Sequence, residues 1–334
     1  MQYSKEMTQT NRVANVERLK LLFVEKIRKY FLHGDYIVHS LTKPMGYPGD
    51  FKIIDAIYAN SPRTLGYDRL FDNYFQMSAV SVAVRNRKED FKRIILNILQ
   101  NRKHPVKILD LACGSCRDVF EILQAISGHD YNFEYHCLDA DERALQFAAQ
   151  LIGKRKNIKF IHHNVIRMGL KKNIENSIHD RYDLIYSTGL FDYLDYRLSL
   201  RLIQNLHKLL RSDGMMAISD VRDAFSNPSV FFMEWVGDWN LLYREDSIFM
   251  DIFMDAGFTA SQLHPRYEQQ GMFQYMFARE KDCPVFEWDK LGLGRNAFYD
   301  NKQSSDAVLN IDSPEHTGSD PKSPQRDKLE SRCL

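Results

Sequence analysis

Apolar residues in the first hundred positions recur every three or four residues. In VERLKLLFVEKIRKYFL, Leu19, Leu22, Phe23, Ile27 and Phe31 share one helical face. DFKIIDAIYAN repeats the pattern, and KEDFKRIILNILQN gathers Phe91, Ile94, Ile95 and Ile98 on one side. Between them KPMGYPGD, with its prolines and glycines, breaks any helix. From Val106 the rhythm changes. VKILDLA, NFEYHCLDA, NIKFIHHNV, RYDLIYSTG and GMMAISDV are short apolar runs that predict strands. RDVFEILQAIS, DERALQFAAQLIGK and YRLSLRLIQNLHKLLRSDG alternate with them at helical spacing, and Gly214 is the expected stop of the last. TASQLHPRYEQQGMFQYMFARE reads as two strands joined by a turn.

Strands alternating with helices imply a parallel sheet with helices on both faces. The expected class is α/β: a Rossmann-like, doubly wound, mostly parallel sheet with a C-terminal antiparallel hairpin. Residues 1–103 are expected to form a helical lid and substrate segment, residues 104–281 the ligand-binding domain, and residues 282–334 a tail. After Tyr299 there is no Phe, Trp or Tyr, and Ser, Asp, Lys and Pro dominate. Such a stretch cannot bury enough apolar surface to offset its ordering entropy, so disorder is expected from about residue 302 onward.

Composition excludes little. The 334 residues carry a net charge of +1, which argues against a general nucleic-acid or membrane surface. No run of about 18 apolar residues predicts a membrane span, and the first residues show no apolar leader. Five scattered cysteines fit reduced thiols and a cytoplasmic location. Cys113 and Cys116 form a C-x-x-C pair without a second pair at metal-ligand spacing, so no metal is expected.

The informative segment is ILDLACGSCRD. Asp110 closes the first strand, small residues follow, and a helix begins. Small residues admit close backbone approach, and the helix N-terminus offers free N–H groups. Any Rossmann-like nucleotide site shares these features. A dinucleotide fingerprint requires G-x-G-x-x-G, but here Ala112, Gly114 and Cys116 occupy the alternate positions. Asp110 would repel a pyrophosphate and attract a cationic ligand. S-adenosylmethionine, with an ammonium and a sulfonium and no phosphate, fits that charge. Asp139, ending the second strand, can accept both ribose hydroxyls, and Ala140 follows it. Asn164 can bind the adenine amino group while Val165 packs on the ring, and Ser187 ends the fourth strand beside them.

These residues resemble the class I S-adenosylmethionine-dependent methyltransferases in order and spacing over about 104–281, including the hairpin. Ala112 and Cys116 depart from the usual glycines but remain small. KPMGYPGDFKIIDAIY, SVAVRNRKED and MEWVGDWNLLYR are similar to the bacterial family containing 3-hydroxy fatty acid methyl ester synthases. That resemblance implies an N-terminal helical segment and a small-molecule acceptor, with carboxyl methylation in signal or secondary-metabolite biosynthesis. N-, S- or phenol O-methylation, and a non-catalytic S-adenosylmethionine-binding role, stay open at this point. An NAD oxidoreductase is disfavoured by the loop.

Methyl transfer needs in-line alignment of nucleophile, methyl carbon and sulfur, and positioning alone can supply about 7–11 kcal/mol. A carboxylate is already ionised at neutral pH and needs no base. Asp192 and Tyr193, after the fourth strand, are the candidate catalytic residues. Asp192 either faces the acceptor or caps the next helix. Tyr47 and Asp50 on the GYPGD turn, Arg85 with Arg87, Arg222, Trp235 with Trp239, and Arg244 are candidate substrate contacts. Arginine forks suit a carboxylate, although each of these arginines could equally form a structural ion pair, and the tryptophans could be core. The sequence leaves the oligomeric state open, a homodimer included.

Overall fold

The computed structural model describes residues 13–176, 178–283, 291 and 293. The predicted disorder from about residue 302 lies outside the described residues. The chain begins with helices α1 (Val13–Lys26), α2 (Asp35–Thr42), α3 (Phe51–Ala59), α4 (Asp68–Met77) and α5 (Ala79–Asn101). Then follow β1 (Val106–Leu111), α6 (Arg117–Ala125), β2 (Phe133–Asp139), α7 (Glu142–Ile152), β3 (Ile158–His162), α8 (Val165–Leu170) and β4 (Tyr182–Ser187). After these come α9 (Tyr196–His207), β5 (Leu210–Val221), α10 (Asp246–Asp255), β6 (Leu263–Tyr267) and β7 (Phe273–Arg279).

The sheet order is β3-β2-β1-β4-β5-β7-β6. Strands β1 to β5 pair in parallel, and β7 runs antiparallel to both β5 and β6. The expected α/β fold is therefore the observed one, hairpin included. The winding reverses between β1 and β4, and ligands of such sheets bind outside the strands' carboxyl ends at that point. Alternate strand residues bury into two cores. Leu184 and Tyr186 join Phe91, Ile94, Val119 and Ala148 on one face. Leu109 and Ile185 join Leu202, Ile203, Phe249 and Phe253 on the other.

Helix α9 ends at His207, earlier than its pattern suggests, and β5 begins at Leu210. Gly214 does not stop the helix. It lies in β5, where a Cβ would sit 2.8 Å from the Tyr182 carbonyl oxygen. Its bare backbone permits the register shift of β4 on β5 between Tyr182 and Leu184.

The N-terminal helices are tied together by Asp72, which is fully buried. Its Oδ1 accepts from the backbone N–H of Asp35 and Tyr36, and its Oδ2 from those of Arg63 and Thr64 and from the Thr64 hydroxyl. Burial pushes this carboxyl's pKa up, but the hydrogen bonds from Thr64 and the backbone outweigh burial and hold it below its ordinary value. Asp72→Ala is expected to cost about 3 kcal/mol, because buried N–H donors lose a charged acceptor. Denaturant midpoints would show it. With the folded pKa depressed, the ionised group's contribution is present above about pH 3.9 and lost as pH falls through the folded value. Wild type and variant should therefore converge in strong acid.

Candidate active site

A cavity of about 700 Å³ opens at the carboxyl ends of β1, β2 and β4. Its polar part includes Asp110, Ala112, Gly114, Asp139, Ala140, Asp141, Asn164 and Val165. Backbone angles explain the loop sequence. Ala112, Gly114 and Cys116 all have positive φ, 55°, 56° and 50°. Two of these three left-handed positions are held by residues that bear a Cβ, at about 1–3 kcal/mol of strain each. Such strain persists only where the surroundings over-determine the backbone. Here Cys113 N–H donates to Leu138 O, and Gly114 N–H to Asp139 Oδ2.

Asp139 also accepts the Asp141 N–H through Oδ1, 2.8 Å away, so its carboxylate is fixed in orientation. Asp110 is 3 % exposed, and among the described residues no cation pairs with it. Burial, then the neighbouring Asp118, pushes its pKa well up. Burial likewise raises Asp139. Two buried acids without a cation flank a strained backbone loop. This arrangement fits a ligand that brings positive charge and hydroxyl donors, as S-adenosylmethionine does, and it disfavours a pyrophosphate. Asn164 caps α8 through the Arg167 N–H and reaches the cavity rim beside Val165. Ser187 lies elsewhere: its hydroxyl donates to Leu111 O and ties β4 to β1 beneath the loop.

The opposite wall is apolar. Phe51, Ile54, Val80 and Val84 come from α3 and α5, and Met233, Trp239, Leu241 and Phe273 from the C-terminal half. The GYPGD loop completes the rim with Tyr47, Pro48 and Gly49. The Tyr47 hydroxyl donates to Asp141 Oδ2, and the Tyr193 hydroxyl to Pro48 O. The Trp239 indole donates to Tyr193 Oη at 2.8 Å. Asp50 does not line the cavity. It caps α3, accepting the Lys52 and Ile53 N–H groups, with His39 Nε2 2.7 Å from its other oxygen. Gly49 has φ +65°, and a Cβ there would lie 2.7 Å from both Trp239 Cζ2 and Tyr193 Oη. Gly49→Ala is expected to cost about 1–3 kcal/mol and to displace the loop. A lowered melting temperature with altered Trp239 fluorescence would register both, and an unchanged melting temperature would contradict the contact.

Asp192 and Tyr193 line the cavity. Asp192 does not cap the following helix, because Asp195 does. The Asp192 carboxylate accepts the Val221 N–H and faces Arg87, whose Nη1 is 3.5 Å away. Burial raises its pKa, and Arg87 partly offsets this. Arg87 is 3 % exposed, stacks over the Phe273 ring at 4.1 Å, and has no hydrogen-bond partner at Nε.

The other arginines expected at the site, Arg85, Arg222 and Arg244, and one tryptophan lie outside the cavity lining, whereas Arg117 and Arg143 join Arg87 in it. Arg85 donates to Gln76, because two residues along a helix turn it away from the side Arg87 occupies. Arg222 forks onto Asp246 and stacks on Tyr267. Arg244 is buried against Asp220 and Phe191 O. Trp235 packs on Phe23 and Phe231, since the helical turn Phe232–Val236 ends before Trp239 and leaves the two tryptophans on different surfaces. Met233 and Phe273 carry no motif that would announce their place at the site.

Residues 109–216 match the methyltransferase domain family. Among curated proteins none matches this sequence. A possible exported protein from Bordetella parapertussis is 17 % identical and superposes with a TM-score of 0.58, covering 81 % of this chain and 98 % of its own. Magnesium protoporphyrin IX methyltransferase from Synechocystis PCC 6803 is 13 % identical, with a TM-score of 0.48 over 73 % of this chain and 99 % of its own. The N-methyltransferase NodS from Bradyrhizobium japonicum WM9 is 13 % identical, with a TM-score of 0.40 over 58 % and 96 %. Among the described residues no helix is long and apolar enough to cross a membrane. Strand order and the domain match agree: residues 109–216 are similar to the methyltransferase domain family and lie on a Rossmann-like, mostly parallel sheet.

Proposed function

We propose that this protein O-methylates the carboxylate of a small molecule with an apolar body, such as a hydroxy fatty acid, in signal or secondary-metabolite biosynthesis. The observation that carries the reading is Arg87, a buried guanidinium on the cavity wall with an unpaired Nε and a long contact to Asp192. A guanidinium in that state has donors to spare for a carboxylate. Phe51, Ile54, Val80 and Val84 offer an apolar wall on the same cavity for a hydrocarbon portion. Asp192 is already committed to Val221 and Arg87, and the reaction fits this: an ionised carboxylate needs no base. The bound cofactor supplies the electrophilic methyl group. The chain's own residues orient the acceptor and exclude water, with the Tyr47–Gly49 loop over the rim.

The test is incubation with methyl-labelled cofactor and a panel of hydroxy fatty acids or a metabolite extract, followed by mass spectrometry. Label in an ester released by mild base is expected. Label in an amine or a sulfonium would overturn the carboxylate reading.

A further inference from the structure

Beneath the cofactor loop the fold assembles a group of thiols that no spacing along the chain reveals. Cys137 on β2 pairs in register with Asp110 on β1. Cys116 caps α6 from the loop above. The Asp110 carboxylate and the sulfurs of Cys116 and Cys137 all lie within 4.8 Å of one another. Cys116 and Cys137 are buried, and Asp110, which lines the cavity, gives the cluster a route to solvent. The sequence pairs Cys116 with Cys113 alone, whereas the fold sets it beside Cys137 and Asp110.

We infer that Cys116, Cys137 and Asp110 form a binding site for a thiophilic divalent cation of the zinc class. Two sulfurs and one carboxylate oxygen make three of the four ligands that zinc takes in tetrahedral geometry, and a water from the cavity would complete the set. Metal–ligand bonds of about 2.0–2.3 Å place tetrahedral donors about 3.3–3.8 Å apart, so closure needs about 1 Å of side-chain movement. Hard cations select oxygen ligands instead, and a sulfur-rich set disfavours them. Asp110 also lines the cofactor cavity, so metal and S-adenosylmethionine compete for it. This competition rests on the cofactor reading; the metal site itself does not.

The experiment uses the reduced, chelator-treated full chain loaded with one equivalent of zinc. Zinc X-ray absorption is expected to show a mixed first shell with about two sulfurs at about 2.3 Å. A shell of nitrogen and oxygen alone, or no retained zinc, overturns the site. Cadmium is expected to give a thiolate charge-transfer band that survives Cys283→Ser and Cys333→Ser and falls by at least half in Cys137→Ser. Should Cys137→Ser fail to fold, Cys116→Ser is expected to lower the band by about half. A band unchanged in the variant that folds overturns the assignment. With zinc bound, cofactor affinity measured by calorimetry is expected to fall at least tenfold, and an unchanged affinity overturns the sharing of Asp110. A metal-free protein that binds no S-adenosylmethionine would instead remove the cofactor reading and leave the metal site standing.

Discussion

Arg87→Met is expected to lower kcat/KM for a carboxylate acceptor by roughly 30- to 5000-fold, the range for losing one partner of a desolvated charge pair at about 2–5 kcal/mol. Cofactor affinity should change little, because the residues expected to hold the cofactor are Asp110, Asp139 and the loop between them. The variant also leaves Asp192 without its guanidinium in a buried setting, which can cost about 3–5 kcal/mol of stability. A loss of activity in Arg87→Met alone would therefore be ambiguous. Combining Arg87→Met with Asp192→Asn removes both charges while the Asn amide oxygen can still accept the Val221 N–H. The pair is expected to recover most of the stability, read by melting temperature, and none of the acceptor affinity, read as KM. Recovery of activity with stability would show that Arg87 serves only the fold. Arg87→Lys keeps the charge but not the fork, and should fall between wild type and Met.

Asp139→Ala is expected to weaken S-adenosylmethionine binding by roughly 100-fold, since hydrogen bonds to a charged group are worth about 1.5–3 kcal/mol each. The same carboxylate receives the Gly114 and Asp141 N–H groups, so the change would also loosen the loop. Asp139→Asn separates the two effects: it keeps the side chain's shape and one acceptor oxygen. If the loop contacts dominate, Asn should lose nearly as much as Ala. If the ligand's hydroxyls dominate, Asn should retain a measurable share. Binding calorimetry in which both variants match wild type would sink the assignment of Asp139 to the cofactor.

Much of this architecture is legible along the chain, and the exceptions have physical causes. The strands of a sheet buried on both faces are continuous apolar runs, so β1 to β5 stand out. The leucine-rich end of α9 does not distinguish helix from strand, and the close approach of Gly214 to Tyr182 decides it. Asp110, Gly114 and Asp139 are readable because loop and strand ends are local. The acceptor side is not, because its wall is built from α3, α5, the Phe232–Val236 turn and β7. Arg85 and Arg87 look equivalent in AVRNR, and only the helix face separates them. Arg222 and Arg244 have the chemistry of a carboxylate clamp, but Asp246 and Asp220 take up their donors. Cys137 carries no local sign of its neighbours.

The packing of Phe91 bears on how far this protein is modular. Its ring, from an N-terminal helix, lies 5.3 Å from Tyr275 on β7 and 5.9 Å from Tyr186 on β4, and Asp90 accepts the Tyr275 hydroxyl. The sheet therefore borrows part of its interior from a segment that precedes it in the chain. Cutting before β1 would bare aromatic surface on a central and a late strand at once. The helices and the sheet should melt together as one calorimetric transition, with matching van't Hoff and calorimetric enthalpies. In evolutionary terms, such a protein changes acceptor by resurfacing the helices it has, since exchanging them whole would cost it its fold.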